Sequence, residues 1–282
     1  MKKQILKIAA FVLAMALIIG VGAFANALIG NPLSKALAKN TAEKHIEKTY
    51  GGTDYELERV SYSFKDGYYY AYITSPSNID GDFTLYINGF GQLRYDNYDY
   101  NVTNGWNTAT RIDMDYRKTA DTLFESSLFP FTPYIAYGEI MFTTADNQSA
   151  PDISEYALVT DELVANAYYN AAELGARAGK LTVYIDDNTV TAERLSQILL
   201  EIRDYFDNAG VGFYAIDCVL EYPRDENGFA EDGRVEVMDF LYADIYEDGL
   251  VERVEASNAA AQEYYYAQDM EKLTEQFDDI NE

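Results

Sequence analysis

The sequence has very few residues of the types that most catalytic and metal sites require. Its 282 residues include one cysteine, Cys218, and one histidine, His45. A single cysteine excludes an intramolecular disulfide and a cysteine-rich metal site, and a single histidine excludes a site with several histidine ligands. A catalytic triad would depend on His45 alone, and no recognisable nucleophile motif accompanies it. We therefore predict a protein that is not an enzyme and has no catalytic residues, no bound metal and no cofactor.

Basic residues are also scarce, since 21 lysines and arginines face 47 aspartates and glutamates, for a net charge of −26. This balance excludes a general nucleic-acid binder, because phosphates require lysine and arginine. The few cations are concentrated at one end, where residues 1–48 hold seven lysines and two acids. A basic start on an acidic body is typical of a membrane-proximal segment followed by a solvated domain.

Charge is absent from residues 8–29, which are mostly apolar. As a helix this segment would measure about 33 Å, enough to span a bilayer. Residues 1–30 therefore predict a single-pass transmembrane signal anchor in the cell membrane. Because three lysines precede the segment, the body is expected to be extracytoplasmic. The alternative is a signal peptide cleaved after Ala25, at the small-residue pattern Ala23-Phe24-Ala25.

The body predicts an α+β fold with two small domains and antiparallel sheets. The first domain, residues 31–142, is expected to begin with a helix over 33–49, because apolar residues recur there at helical spacing. A four-stranded meander follows, with Lys65-Asp66-Gly67 and Asn88-Gly89 as hairpin turns. The predicted strands are 55–64, 68–74, 83–87 and 92–95, and a helix over 108–128 completes the domain.

A polar stretch over residues 143–152 predicts the linker to the second domain, residues 153–282. The elements expected there are helices over 160–178 and 191–208, a strand over 180–186, a long hairpin formed by 211–222 and 234–246, an edge strand over 250–254 and an acidic helical tail over 257–277. Asp186-Asp187-Asn188 is expected to cap the helix over 191–208.

The chain resembles the YfjL-like proteins, a family of uncharacterised membrane proteins of Gram-positive bacteria. The resemblance is carried by the apolar segment, by Gly30-Asn31-Pro32-Leu33-Ser34-Lys35, by the lysine-rich AKNTAEKHIEKTY and by YSFKDGYYYAYITSPS. It implies an envelope location and an N-terminal anchor and supplies no catalytic residues. The helix-plus-meander outline is also similar to PepSY-type and cystatin-like modules, an analogy of fold alone.

Tyrosine is abundant, with 26 residues, and the densest run lies in the second predicted strand. Exposed tyrosines can form a platform for a peptide or a glycan, while tyrosines that fill small sheets are the common alternative. We predict an interaction surface for an envelope protein partner at Tyr68, Tyr69, Tyr70 and Tyr72. A PepSY-like regulator or inhibitor of an envelope protease is an alternative function. A wall-glycan enzyme with paired carboxylates is a second one.

The remaining chemically suggestive residues predict ordinary structural roles. Cys218 lies among apolar neighbours and is expected to be a buried small side chain. The acidic turns at Asn78-x-Asp80-x-Asp82 and Asp225-x-Asn227 lack the glycine and the glutamate of an EF-hand loop. We expect solvated turns there, with weak calcium sites as the alternative.

Overall fold

The computed structural model describes residues 2–150, 153–224 and 233–281. Their contacts divide the chain into two units, which we describe separately. Unit 1 comprises residues 1–108 and 161–167, and unit 2 comprises residues 109–160 and 168–282. The predicted N-terminal helix and α+β content are confirmed. The division at Thr108/Ala109 differs from the linker predicted at residues 143–152.

The chain begins with a long apolar helix, α1 (Lys2–Ile29). Its described side chains project away from the rest of the protein: Phe11, Leu13, Ile18 and Phe24 are each 64–67% exposed. By length and composition α1 could cross a membrane, and a signal sequence near an N-terminus passes the same test. Exposed apolar surfaces of this extent are rare on soluble proteins and typical of segments that meet an apolar environment.

Unit 1 places a second helix against a four-stranded antiparallel meander. The helix is α2 (Pro32–Thr49), which begins with Asn31 as its N-cap and Pro32 in its first turn. The strands are β1 (Glu56–Tyr62), β2 (Tyr69–Thr74), β3 (Phe83–Ile87) and β4 (Leu93–Asp96), in that order across the sheet. These bounds confirm the predicted helix and hairpins. The similarity to PepSY-type modules stays a prediction.

The inner face of this sheet forms the core of unit 1. In β2 and β3 the burial alternates, so that Ala71 and Ile73 face Leu85 and Phe83 across the strands. Ala38 and Ala42 of α2 pack against this layer and are fully buried. Small residues at this spacing on one helix face allow α2 to lie close to the sheet.

Residues 161–167 join unit 1 through a short 3-10 helix (Thr160–Glu162) and a turn, and the α-helix predicted over 160–178 is wrong for most of its length. Asn166 adopts a positive φ of 63°, which ends any helix. Its backbone N–H donates to Asp80, and its side-chain oxygen accepts from the N–H of Ile79. These contacts with the loop before β3 outweigh helix propensity. Only the last part of the predicted segment is helical, as α4 (Ala171–Ala178).

Unit 2 contains a second four-stranded sheet. Its strands are β5 (Ile135–Ile140), β8 (Gly179–Asp186), β9 (Ala215–Glu221) and β10 (Arg234–Leu241), in the spatial order β10-β9-β8-β5. Two short strands, β6 (Phe142–Thr143) and β7 (Leu158–Val159), form a separate parallel pair. The predicted strand over 180–186 and the predicted hairpin are confirmed, and β5 extends the sheet at its other edge.

The second sheet is mixed, which corrects the expectation of antiparallel pairing throughout. Strands β8 and β9 run parallel, with Val183 opposite Cys218. Helix α5 (Ala192–Ala209) connects them, and a parallel pair needs such a crossover. Thr191 caps α5 by accepting from the N–H of Arg194, so the cap predicted at Asp186-Asp187-Asn188 is wrong.

Helix α3 (Trp106–Phe124) explains why the division of the chain differs from the predicted linker. Its Tyr116 is fully buried and donates a hydrogen bond from its hydroxyl to the carbonyl of Gly212. A Cβ on Gly175 would lie 2.4 Å from the ring of Tyr116. Because of these close contacts, most of α3 belongs to unit 2. Composition alone predicts that it belongs to the first domain.

Helix α6 (Leu250–Asn281) begins where an edge strand was predicted over 250–254. Leu250, Val254 and Ala261 are buried at helical spacing. The short apolar run over 250–254 fits a strand or a helix by composition, and packing against β10 and α5 decides for the helix.

Candidate functional site

The four tyrosines of the predicted interaction surface do not share one face of the sheet. Tyr69 is 2% exposed, and its hydroxyl accepts a hydrogen bond from the backbone N–H of Asn31 over 2.8 Å. It joins the sheet to the start of α2 and is not available to a partner, which corrects its inclusion. Tyr70 and Tyr72 lie on half-exposed positions of β2. Tyr68 lies in the preceding turn, where its N–H donates to Asp66.

A row of three tyrosines crosses the outer face of the sheet. The strand register aligns Tyr70 of β2 with Tyr86 of β3 and Tyr95 of β4. The ring centroids of Tyr70 and Tyr86 are 4.7 Å apart, and those of Tyr86 and Tyr95 are 5.4 Å apart. Tyr95 is 53% exposed. The row is therefore a continuous aromatic surface that solvent reaches.

Arg59 extends this surface at the next position along the strands. Its guanidinium lies 4.1 Å from the ring centroid of Tyr72, a cation–π contact. The same group is 3.0 Å from the carboxylate of Glu58. We call the set Arg59, Tyr70, Tyr72, Tyr86 and Tyr95 the tyrosine face.

Two phenols of the tyrosine face, those of Tyr70 and Tyr86, have raised pKa values. The hydroxyl of Tyr70 donates to the carboxylate of Asp66, and this bond raises the pKa of Tyr70. Partial burial and then the neighbouring phenol of Tyr95 raise the pKa of Tyr86. The phenols of Tyr70 and Tyr86 therefore keep their protons at neutral pH and can donate and accept hydrogen bonds.

His45 binds Asp96 in a contact between α2 and β4. Its Nε2 lies 2.8 Å from a carboxylate oxygen of Asp96, and the hydroxyl of Tyr50 donates to the same oxygen over 2.8 Å. Burial and the Asp96 carboxylate raise the pKa of Tyr50. Thr49 lies one turn along the helix, with its hydroxyl 3.4 Å from Nδ1 of His45. That separation is ordinary for i,i+4 neighbours on a helix. The contacts of His45 and Tyr50 with Asp96 therefore serve to join α2 to the edge strand β4.

Unit 2 contains a partly buried ion cluster on one face of its sheet, formed by Lys180, Asp217 and Asp239. The Nζ of Lys180 lies 2.9 Å from Asp217 and 2.8 Å from Asp239, and Tyr156 donates from its hydroxyl to Asp239. Burial alone lowers the pKa of Lys180, and the bonds and charges of both aspartates outweigh it and raise the pKa. A lysine held protonated in this way is neither a base nor a Schiff-base nucleophile, so the cluster fastens β8, β9 and β10 together.

The first acidic turn, predicted to be solvated, instead contains a buried carboxylate. Asp80 is 2% exposed, and one of its oxygens accepts from the hydroxyl of Thr108 and the N–H of Asn166. Burial raises the pKa of Asp82, followed by the charge of Glu58. Within the described ranges, no group of three acidic, histidine or cysteine residues could hold a metal ion. The turn at Asp225-x-Asn227 lies outside the described residues.

The prediction for Cys218 is confirmed. The side chain is fully buried, and burial followed by the charge of Asp217 raises the pKa of its thiol to about 12. A thiol in this environment is not reactive at neutral pH.

Two family models match the chain. Residues 5–97 match the YfjL-like N-terminal domain, and residues 115–255 match the YfjL-like C-terminal domain. No curated protein matches. A crystal structure of a DUF5037 family protein from Ruminococcus gnavus shares 15% identity, covering 78% of this chain and 98% of that one, with a TM-score of 0.22. A likeness at that score carries no argument here. The two matches together cover most of the sequence, and the chain therefore belongs to the YfjL-like family.

Proposed function

We propose that this protein is a single-pass membrane protein with an extracytoplasmic body, and that it binds a protein partner through the tyrosine face without catalysing a reaction. The observation that carries the proposal is the half-exposed row Tyr70–Tyr86–Tyr95, with Arg59 beside it. The predicted orientation rests on the lysines before α1, which favour a cytoplasmic N-terminus.

The composition of the tyrosine face favours a protein as its ligand. Tyrosine and arginine are enriched at protein interfaces and at the residues that dominate binding energy. Tyr86 and Tyr95 present rigid rings with few rotatable bonds, and the phenol hydroxyls supply hydrogen bonds in either direction. Ordering such a surface on binding costs little side-chain entropy.

The residues and strands that hold the tyrosine face in place indicate that the surface is already formed before a partner binds. Three strands carry its tyrosines, and the opposite side of the same sheet is the core of unit 1. Asp66 holds the hydroxyl of Tyr70, and Tyr72 supports Arg59. A partner would meet side chains already in place, so we expect alterations of Tyr95 to change binding without changing the fold.

Site-specific photo-crosslinking in living cells tests this function. A photoreactive phenylalanine analogue replaces Tyr95 in the full chain, and a second chain carries it at Tyr100 as the matched control. The two tyrosines are 53% and 52% exposed, and Tyr100 stacks on Trp106 instead of joining the row. We expect a discrete protein adduct from position 95 only, and its loss in the same chain when Arg59→Ala and Tyr86→Ser are added.

Two results would contradict the proposal. Equal adducts from positions 95 and 100 would mean that the tyrosine face has no selectivity over another exposed aromatic. Adducts from position 95 that contain glycan and no protein would show that the tyrosine face binds a glycan instead of a protein.

A further inference from the structure

Three large apolar side chains are exposed at one end of unit 1. Leu33 is 72% exposed in the first turn of α2, Phe64 is 64% exposed in the β1–β2 turn, and Phe90 is 85% exposed in the β3–β4 turn. They come from three separate segments of the chain. A single exposed apolar residue is ordinary, whereas three at one end indicate a surface with an apolar partner.

Hydrogen bonds place these three residues at the end of the sheet from which α1 departs. Tyr62, two residues before Phe64, donates from its hydroxyl to the carbonyl of Ala27 in the last turn of α1. Tyr62, Tyr69 and Ile87 are paired across β1, β2 and β3, so both turns extend beyond this row. Ser34, next to Leu33, donates to the carbonyl of Gly89, next to Phe90.

The charge at this end has the opposite sign to the charge of the protein. The segments 30–37, 61–69 and 87–94 carry three cations and one acid, in a chain with a net charge of −26. The cations are Lys35, Lys65 and Arg94, and all three are exposed. Lysine and arginine around exposed aromatic and aliphatic residues are typical of surfaces that rest in the headgroup region of an anionic bilayer.

We propose that the Leu33–Phe64–Phe90 end of unit 1 docks into the anionic lipid surface of the membrane that α1 spans. The three side chains would enter the boundary between headgroups and acyl chains, to a depth of about 5–10 Å. Lys35, Lys65 and Arg94 would meet the lipid phosphates. The tyrosine face would then be held at a fixed orientation to the membrane instead of on a free tether.

The inference rests on the proposed anchoring of α1, since α1 brings this end of unit 1 to the bilayer. The joint favours docking because it is short and hydrogen-bonded. Only Gly30 and Asn31 separate the two helices, and Asn31 both caps α2 and donates its backbone N–H to Tyr69. A second copy of the chain is the competing occupant of the apolar end.

An environment-sensitive fluorophore on single cysteines tests the docking. The full chain is reconstituted in vesicles containing phosphatidylglycerol, with the label at Phe64→Cys, at Phe90→Cys or, as the matched control, at Ile79→Cys. Ile79 is also exposed, at 68%, and lies in the loop between β2 and β3, at the opposite end of the sheet. The native Cys218 is fully buried and does not compete for the label.

We expect blue-shifted emission at positions 64 and 90, strong quenching there by lipid with a shallow nitroxide, and neither effect at position 79. Flotation of the same samples separates the two proposals. Protein that floats with vesicles but shows equal, water-like emission at 90 and 79 overturns the docking and leaves the anchor intact. Protein that does not float overturns both. Shielding at position 90 that persists in detergent and rises with protein concentration assigns the apolar end to a second copy.

Discussion

The hydroxyl of Tyr62 donates a hydrogen bond to the carbonyl oxygen of Ala27, over 2.9 Å. Ala27 lies in the last turn of α1, where helix carbonyls lack partners within the helix. The first strand of unit 1 thus supplies a cap for the apolar helix. This bond, with that between Asn31 and Tyr69, makes the exit of α1 part of the folded unit.

Gly30 is the residue of this joint that should tolerate substitution least. It has a φ of +69°, and a Cβ there would lie 2.7 Å from both Cγ of Tyr62 and the hydroxyl of Tyr69. We expect Gly30→Ala to lower the free energy of unfolding of unit 1 by more than the roughly 1–2 kcal/mol that positive φ alone costs an L-residue. Urea unfolding in detergent, followed by the fluorescence of Trp106, measures the change.

Gly52 provides the control for backbone strain without a clash. Its φ is +93°, and no atom outside its neighbours lies within 4 Å of a Cβ built there. Gly52→Ala should therefore show the strain cost alone, about 1–2 kcal/mol. Equal losses of unfolding free energy for Gly30→Ala and Gly52→Ala would mean that the predicted clash with Tyr62 and Tyr69 has no cost.

Asp80 should stabilise unit 1 without binding calcium. Its buried oxygen accepts from Thr108 and Asn166, so Asp80→Asn disturbs bonds that water cannot replace. We expect a loss of about 1–3 kcal/mol in the free energy of unfolding, by the same fluorescence measurement. Calcium should shift the unfolding midpoint of the unaltered chain no more than magnesium does. A calcium-specific shift that Asp80→Asn abolishes would restore the cation site as the explanation.

Unit 2 should lose stability in alkali through Lys180 and Tyr156. Burial and the hydrogen bond to Asp239 raise the pKa of Tyr156 from 10.0, and the pKa of Lys180 is raised from 10.5. Both groups therefore hold their protons more tightly when folded. Their contribution is fully present below about pH 10 and decreases as the pH rises through the folded pKa values. Urea titrations by circular dichroism from pH 8 to 11 should show this decline.

A double variant isolates the ion cluster from the general effect of alkali. Lys180→Met with Asp239→Asn removes the ammonium together with one of its carboxylates. We expect a shallower decline above pH 10 in this variant. An unchanged slope would mean that other groups carry the alkaline loss.

Cys218 should report unfolding of unit 2 by its reactivity. Burial raises the pKa of its thiol to about 12, so at pH 8 very little thiolate is present in the folded chain and reagent has no access. A maleimide should label the protein only in urea concentrations that unfold unit 2. Rapid stoichiometric labelling of the native protein at pH 8 would place Cys218 at an accessible position.

The fold of unit 1 can be predicted from the sequence more completely than the tyrosine face. Hairpin turns and helical spacing are local, and they place α2 and the four strands within a few residues. The period of two in YYAYIT also separates Tyr69, on the inner face with Ala71, from Tyr70 and Tyr72. Treating the tyrosines as one run conceals this separation.

The sequence prediction misses Tyr86 and Tyr95, because only the strand register places them beside Tyr70. Arg94 is the extra residue where the pairing of β3 and β4 shifts between Tyr86 and Ile87. Without this bulge, Tyr95 would face the core side of the sheet and Asp96 the outer side. Nothing in the local pattern of residues 92–96 specifies the shift.

In the second half, long-range contacts decide the elements that sequence reasoning misses. Asn166 interrupts a helical pattern because its partners lie in the loop at residues 77–80, far away along the chain. Tyr116 assigns α3 to unit 2 through Gly175 and Gly212. Neither set of contacts can be predicted from the residues that neighbour Asn166 or Tyr116 in the sequence.

Protease treatment of intact cells, followed by membrane fractionation, tests directly whether the body of the protein is membrane-anchored and extracytoplasmic. We expect added protease to digest residues 31–282 from outside, and undigested chains of full length to stay in the membrane fraction. A body that is protected in intact cells and cut only after lysis would contradict the proposed orientation. Soluble chains that begin after Ala25 would contradict the anchor.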